Sequence, residues 1–300
     1  MKRFSLAVVI LLMPPVALAH AGHDHGMDYP WTWDPWVTGP LLLTALLYAG
    51  GVARLWRRAG PGRGVGSGQT AMFAAGWLAL AVALVTPLHA LGERLFTAHM
   101  VEHEVLMVLA APLLVLSRPI GAMLWGLPQG WRRSLGAAAG ARVWRRCWWA
   151  LTDPLTATVL HGIAIWAWHV PALFAAALAD EGMHALQHAS FLVTALLFWW
   201  SLLCRRGSRA AAIGHLFATA LHTGLLGALL VFSTRVWFPD QAGEAARWGL
   251  TALEDQQLAG LVMWIPACLA YPVAGLALAG LWIAGAGRRA GEGRHAVGAR

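Results

Sequence analysis

Apolar runs of about twenty residues recur along the whole of this 300-residue chain, and nothing else in it restricts the possible folds so strongly. A run of that length crosses ~30 Å of hydrocarbon as a helix. Composition agrees: 58% of residues are hydrophobic and 12% charged, where a soluble protein has roughly 25% charged. Seven spans are expected, at about 37–56, 70–88, 96–117, 154–174, 184–204, 210–233 and 257–286. The last is long and contains Pro266 and Pro272, so a kink or tilt is expected there. The fold class is therefore an all-α membrane protein, a seven-helix transmembrane bundle occupying residues 36–287.

Residues 1–19 have a basic start at Lys2 and Arg3, an apolar run, a Pro14-Pro15 break and a small-residue ending at Ala19, the pattern of a cleaved secretory signal. An uncleaved first helix is the alternative. Cleavage would leave residues 20–35 as a periplasmic tail carrying His20, His23 and His25, with Asp24 and Met27 beside them. His-rich tracts suggest metal capture by composition alone.

Arginine supplies an independent test, because loops on the cytoplasmic side hold the excess. With the mature amino terminus outside and the carboxyl terminus in the cytoplasm, seventeen arginines fall inside, including Arg54 to Arg63, Arg118 to Arg146, Arg205 to Arg209 and a basic tail at 288–300. Three fall outside: Arg94, Arg235 and Arg247. Trp31, Trp33, Trp36, Trp56, Trp237 and Trp248 suit interfacial anchors. Residues 119–150 are too polar to span and read as a segment lying along the inner surface.

The formal charge of +8 does not signify nucleic acid, since the basic residues form short clusters between apolar runs instead of a stripe. No glycine motif for dinucleotides or phosphate is present. The three cysteines, Cys147, Cys204 and Cys268, face away from the oxidising compartment and include no Cys-x-x-Cys pair. Any soft metal must be held mainly by imidazole and thioether.

Ionisable residues inside spans are costly and usually functional. His99 and His103 enter the third span four residues apart, so both rings lie on one face, with Met100, Glu102, Glu104 and Met107 nearby. His169 ends the fourth span and His184 and His188 open the fifth, joined by a short outer connection. These five histidines converge in depth and form a candidate site for copper or another transition ion. Taken singly, each is as well explained as a polar bridge between helices. His89 ends the second span on the same side and is expected to join the cluster. His161 and His222 lie deeper, where they suit a haem pair or proton relay as a lesser alternative, and His215 reads as a bridge. Glu254 and Asp255 open the seventh span, Asp255 either orienting an imidazole or serving as a helix amino-terminal acid.

The segments AHMVEHEVLMVLAAPLLVLSRP from Ala98, WAWHVPALFAAAL from Trp166, HALQHASFLVTALLFWW from His184 and EDQQLAGLVMWIP from Glu254 resemble the CtaG group of multi-span cytochrome c oxidase assembly factors, over roughly residues 35–285. The resemblance implies a bacterial plasma-membrane protein, not an enzyme, needed to produce active haem-copper oxidase through copper delivery to the catalytic subunit. It carries over His99, His103, His169, His184 and His188, with Asp255 and Gln256 as a matching polar pair. The implied partners are membrane lipid, that oxidase subunit and a periplasmic copper donor. Alternatives are a haem-binding redox protein, a copper transporter, and a bundle that chaperones an oxidase subunit by helix contacts alone.

Overall fold

A computed structural model describes residues 29–298 except 206 and 242. The expected signal and the tail histidines His20, His23 and His25 lie outside the described residues. Every described element is helical. In chain order they are α1 (Pro35–Ala59), α2 (Ser67–Val85), the short α3 (Pro87–Gly92), the rod α4 (Phe96–Ser117), α5 (Pro119–Gly126), α6 (Gln129–Gly140), α7 (Arg142–Leu151), α8 (Pro154–Trp168), α9 (Pro171–Ala179), α10 (Glu181–Leu203), α11 (Arg209–Val231) and α12 (Ala252–Gly298).

Local sequence sets most helix starts. Asp34, Asp153, Asp180 and Ser208 accept hydrogen bonds from the first-turn N–H groups of α1, α8, α10 and α11, which would otherwise lack partners. Pro35, Pro154 and Pro171 occupy first helical positions, where a missing N–H costs nothing.

Six helices are long and apolar enough to cross a membrane. The seventh expected span is different: α8 stops at Trp168 and α9 leaves it at an angle of 76°. Pro171 biases Val170 to extended backbone, which ends the helix. The expected continuous span over 154–174 is thus a broken one. By contrast α12 runs through Pro266 and Pro272 without interruption and continues to Gly298. Inside α4, residues Val105–Ala110 widen into a π-helical turn. Pro112 has no N–H for the preceding turn, and Trp199 Nε1 donates 3.0 Å to the Met107 carbonyl there.

The segment expected on the inner surface divides in packing. α5 packs on α1 so closely that a Cβ on Gly51 or Gly126 would overlap the other helix's backbone. α6 and α7 bury no residue, and Arg58 and Arg132 lie over the Trp125 ring at 5.3 and 4.3 Å. α4, α10, α11 and α12 share the main core, built on Phe191, Phe198, Trp199, Leu216 and Tyr271. The segments 86–95, 169–180 and 232–251 (except 242) meet through the Arg94–Glu244 pair, the Gln241–Gly92 hydrogen bond and the Phe174–Phe238 contact, and the clustered histidines lie in them or next to them.

Candidate metal centre

The amino terminus of α4 is capped across the bundle, not from its own chain segment. Leu95 precedes the helix and has no side chain able to cap. The Asp255 carboxylate of α12 accepts from Phe96 N at 2.9 Å, Thr97 N at 3.0 Å and Thr97 Oγ1 at 2.6 Å. Asp255 therefore does not orient an imidazole directly, as the first of its two expected roles had it. It acts as the amino-terminal acid of a neighbouring helix and so fixes the height of His99 and His103. Gln256, next in sequence, accepts from Trp237 N at 2.6 Å and donates to Arg235 O at 3.0 Å, holding the last loop over the same end.

Four of the five expected imidazoles meet. Ring centroids are 4.2 Å apart for His99 and His103, 4.4 Å for His184 and His188, 5.2 Å for His103 and His188, 5.5 Å for His99 and His184, and 6.1 Å for His99 and His188. Two imidazoles on one tetrahedral ion have centroids roughly 5 Å apart, so these rings are near neighbours; among the described residues, the trios whose ligand atoms lie within 4.8 Å of one another are His89–Glu93–His184 and His89–Glu102–His188. His89 lies at the edge of the group, 5.3 Å from His184 and 5.7 Å from His188.

His169 is set apart. Its Nδ1 donates 2.7 Å to the Ile165 carbonyl one turn back. Its ring lies 6.5 Å from Phe191, which in turn touches His103 at 4.6 Å. It adjoins the cluster through an aromatic ring instead of by imidazole contact.

Hydrogen bonding sets His99 and His103, with neither ring nitrogen partnered, apart from the other buried histidines. Both ring nitrogens of His99 and His103, and Nε2 of His169, His184 and His188, are buried without a partner. Buried polar groups almost always have one. The histidines outside the cluster are bridges: His161 bonds Thr194 at 3.1 Å, His215 bonds Thr158 at 3.1 Å, and His222 accepts from Trp166 Nε1 at 3.3 Å. His161 and His222 thus each have a helix partner of their own, although His161 Nε2 is also unpartnered. Met100, Met107 and Met263 are buried in the main apolar core.

Two carboxylates that the sequence did not assign to the site border it. Glu102 is fully buried and accepts from His89 Nδ1 at 2.7 Å, with His188 Nδ1 at 3.7 Å. Glu93 approaches His89 and His184 from the surface, and the ligand atoms of the three lie within 4.8 Å of one another. The one available signal was spacing: Glu102 is three residues from His99, on the same helix face. The His89–Glu102 contact joins two helices and has no local signature. Gln187 is buried beside this group on α10 with neither amide atom satisfied.

A multi-pass helical bundle with a buried imidazole cluster under one end defines the class, a helical membrane protein with a candidate metal centre. The chain belongs to the cytochrome c oxidase caa3 assembly factor (Caa3_CtaG) family, whose model matches residues 46–284. It is 29% identical over 246 residues to the uncharacterized proteins Mb0105 of Mycobacterium bovis and MT0111 of Mycobacterium tuberculosis, covering 78% of this chain and 36% of each of those. It is 25% identical over 266 residues to the uncharacterized protein ML1998 of Mycobacterium leprae, covering 84% of this chain and 39% of that protein. The chain thus spans little more than a third of these curated relatives. No solved structure matches. The apolar helices and these relatives place the protein in a bacterial membrane as a multi-pass protein.

Proposed function

We propose that the protein binds copper as cargo among His99, His103, His184 and His188, with His169 adjoining, and passes it to the catalytic subunit of a haem-copper oxidase. The observation that carries this reading is the set of seven buried, unpartnered nitrogens on His99, His103, His169, His184 and His188. Leaving such a group unsatisfied costs about 1–3 kcal/mol, and a bound ion would satisfy the one lone-pair nitrogen of each ring that ligates it. Neutral imidazole suits copper in both oxidation states. In His169 the Nδ1 proton is committed to Ile165, which leaves the Nε2 lone pair for a ligand. Family membership supports the oxidase as client, and the arginine distribution supports loading from the outer compartment.

Haem fits less well. Axial imidazoles face each other across a macrocycle, whereas His99–His103 and His184–His188 are in ring contact at 4.2 and 4.4 Å. A path through the full bilayer needs ligands in the other half, where His215 is engaged with Thr158.

The test is anaerobic Cu+ competition against a chromophoric chelator with the full chain in detergent, alongside oxidase activity in membranes from cells carrying each variant. His99→Ala and His103→Ala are expected to weaken Cu+ binding at least tenfold and to lower oxidase activity in parallel. The reading is wrong if the wild-type chain binds no copper, or if the double variant retains wild-type affinity and activity. A Soret band in the purified chain would establish the haem alternative.

A further inference from the structure

We propose that His89, Glu93 and His184 form a second, rim site for a divalent transition cation, distinct from the imidazole set beneath it. The ligand atoms of these three residues lie within 4.8 Å of one another. They run from exposed Glu93 through half-buried His89 to buried His184, which is 8% exposed and has an unpartnered Nε2. A divalent ion could therefore enter from solvent at the carboxylate and be completed by the two imidazoles.

The neighbouring contact gives His89 the geometry of a ligand. Its Nδ1 donates 2.7 Å to Glu102, a fully buried carboxylate. Histidines that ligate metals commonly give their other ring N–H to a carboxylate, which fixes the tautomer and strengthens the free nitrogen as a donor. With Nδ1 held in this way, Nε2 is left to ligate. Glu102 also lies near His89 and His188 in a second possible trio. That trio would require breaking the 2.7 Å hydrogen bond, so Glu102 is better assigned to orienting His89 than to holding the ion.

Two imidazoles and one carboxylate, with solvent completing the shell, favour Zn2+ or Cu2+ over Cu+, which the deeper all-imidazole set suits better. The rim site does not depend on copper binding below it. Where both operate, they share His184, whose ring lies 4.4 Å from His188 and 5.5 Å from His99. A divalent ion at the rim then withdraws one imidazole from the deeper set, so the two cations compete.

The experiment is a Zn2+ titration of the full chain in detergent, comparing wild type with Glu93→Gln, an exposed and nearly isosteric change compatible with folding. The amino-terminal histidines are common to both chains, so the difference reports the rim site. Glu93→Gln is expected to weaken one Zn2+ equivalent at least tenfold while Cu+ equivalents are unchanged. Zn2+ should weaken Cu+ binding in the wild type and not in Glu93→Gln. Identical Zn2+ titrations of the two chains would overturn the rim site and leave the copper reading standing. A Zn2+ difference in a chain that binds no Cu+ would establish the rim site and overturn the copper reading.

Discussion

Asp255 is the residue on which the cluster's geometry most directly rests. Its carboxylate gathers two backbone N–H groups and the Thr97 hydroxyl at the start of α4. Asp255→Ala removes all three and should cost about 1–3 kcal/mol of stability, seen as a lower unfolding temperature in detergent. Because the cap fixes the height of His99, Cu+ affinity should fall several-fold too, and Asp255→Asn, which keeps one carboxamide oxygen, should recover part of both. A variant that unfolds like wild type would show that α4 is held by packing alone. The pairing of His99 with His103 and of His184 with His188 was legible as four-residue spacing, which fixes a shared face. The partners of Asp255, Glu102 and Glu93 were not, because each is defined by a contact between helices. His169 illustrates the same limit: spacing placed it near the cluster, but Phe191 touches both it and His103 where an imidazole contact was expected.

At the scale of elements, α11 and α12 are brought together by a reciprocal pair of glycines. A Cβ on Gly227 would lie 2.9 Å from the Gly260 carbonyl oxygen, and one on Gly260 would lie 2.8 Å from that of Gly227. Both obstacles are backbone, so an added methyl must push the helices apart. Gly260→Ala is expected to destabilise by about 1–3 kcal/mol. Gly280→Ala on the same helix meets nothing within 4 Å and should be neutral or stabilising by thermal unfolding. Six spans were evident from hydropathy alone. The break after α8 was not, although Pro171 was in plain view, because the apolar run continues across it from Trp168 to Ala179. The π-helical turn at Val105–Ala110 likewise has Pro112 as its local cause, yet needs Trp199 from another helix to satisfy the carbonyl it frees.

Across the whole molecule, Glu244 ties three separate segments together at the arginine-poor end. It accepts from Tyr29 Oη at 2.7 Å, Arg94 at 3.2 Å and Arg247 at 3.0 Å. The Tyr29 hydrogen bond is the chief cause holding its carboxyl below the usual 4.5, with the two arginines adding to it. A depressed folded-state pKa contributes stability above the unfolded value, and that stability is lost as pH falls through the folded one. Glu244→Gln should therefore unfold at a lower temperature than wild type at neutral pH, and the gap should close as the pH is taken below about 4.5. A gap independent of pH would mean that the carboxylate charge is not what joins these segments. The all-helical, multi-span character of the chain was legible because apolar runs of membrane-crossing length are a property of whole segments that survives ignorance of every contact. The short rod of α8 has a further consequence for the bundle. Fifteen residues rise only about 22 Å, well short of a ~30 Å hydrocarbon layer. The rest of such a layer is left to the apolar α9, which turns aside by 76° next to His169, so this corner of the bundle has no straight rod crossing the full thickness.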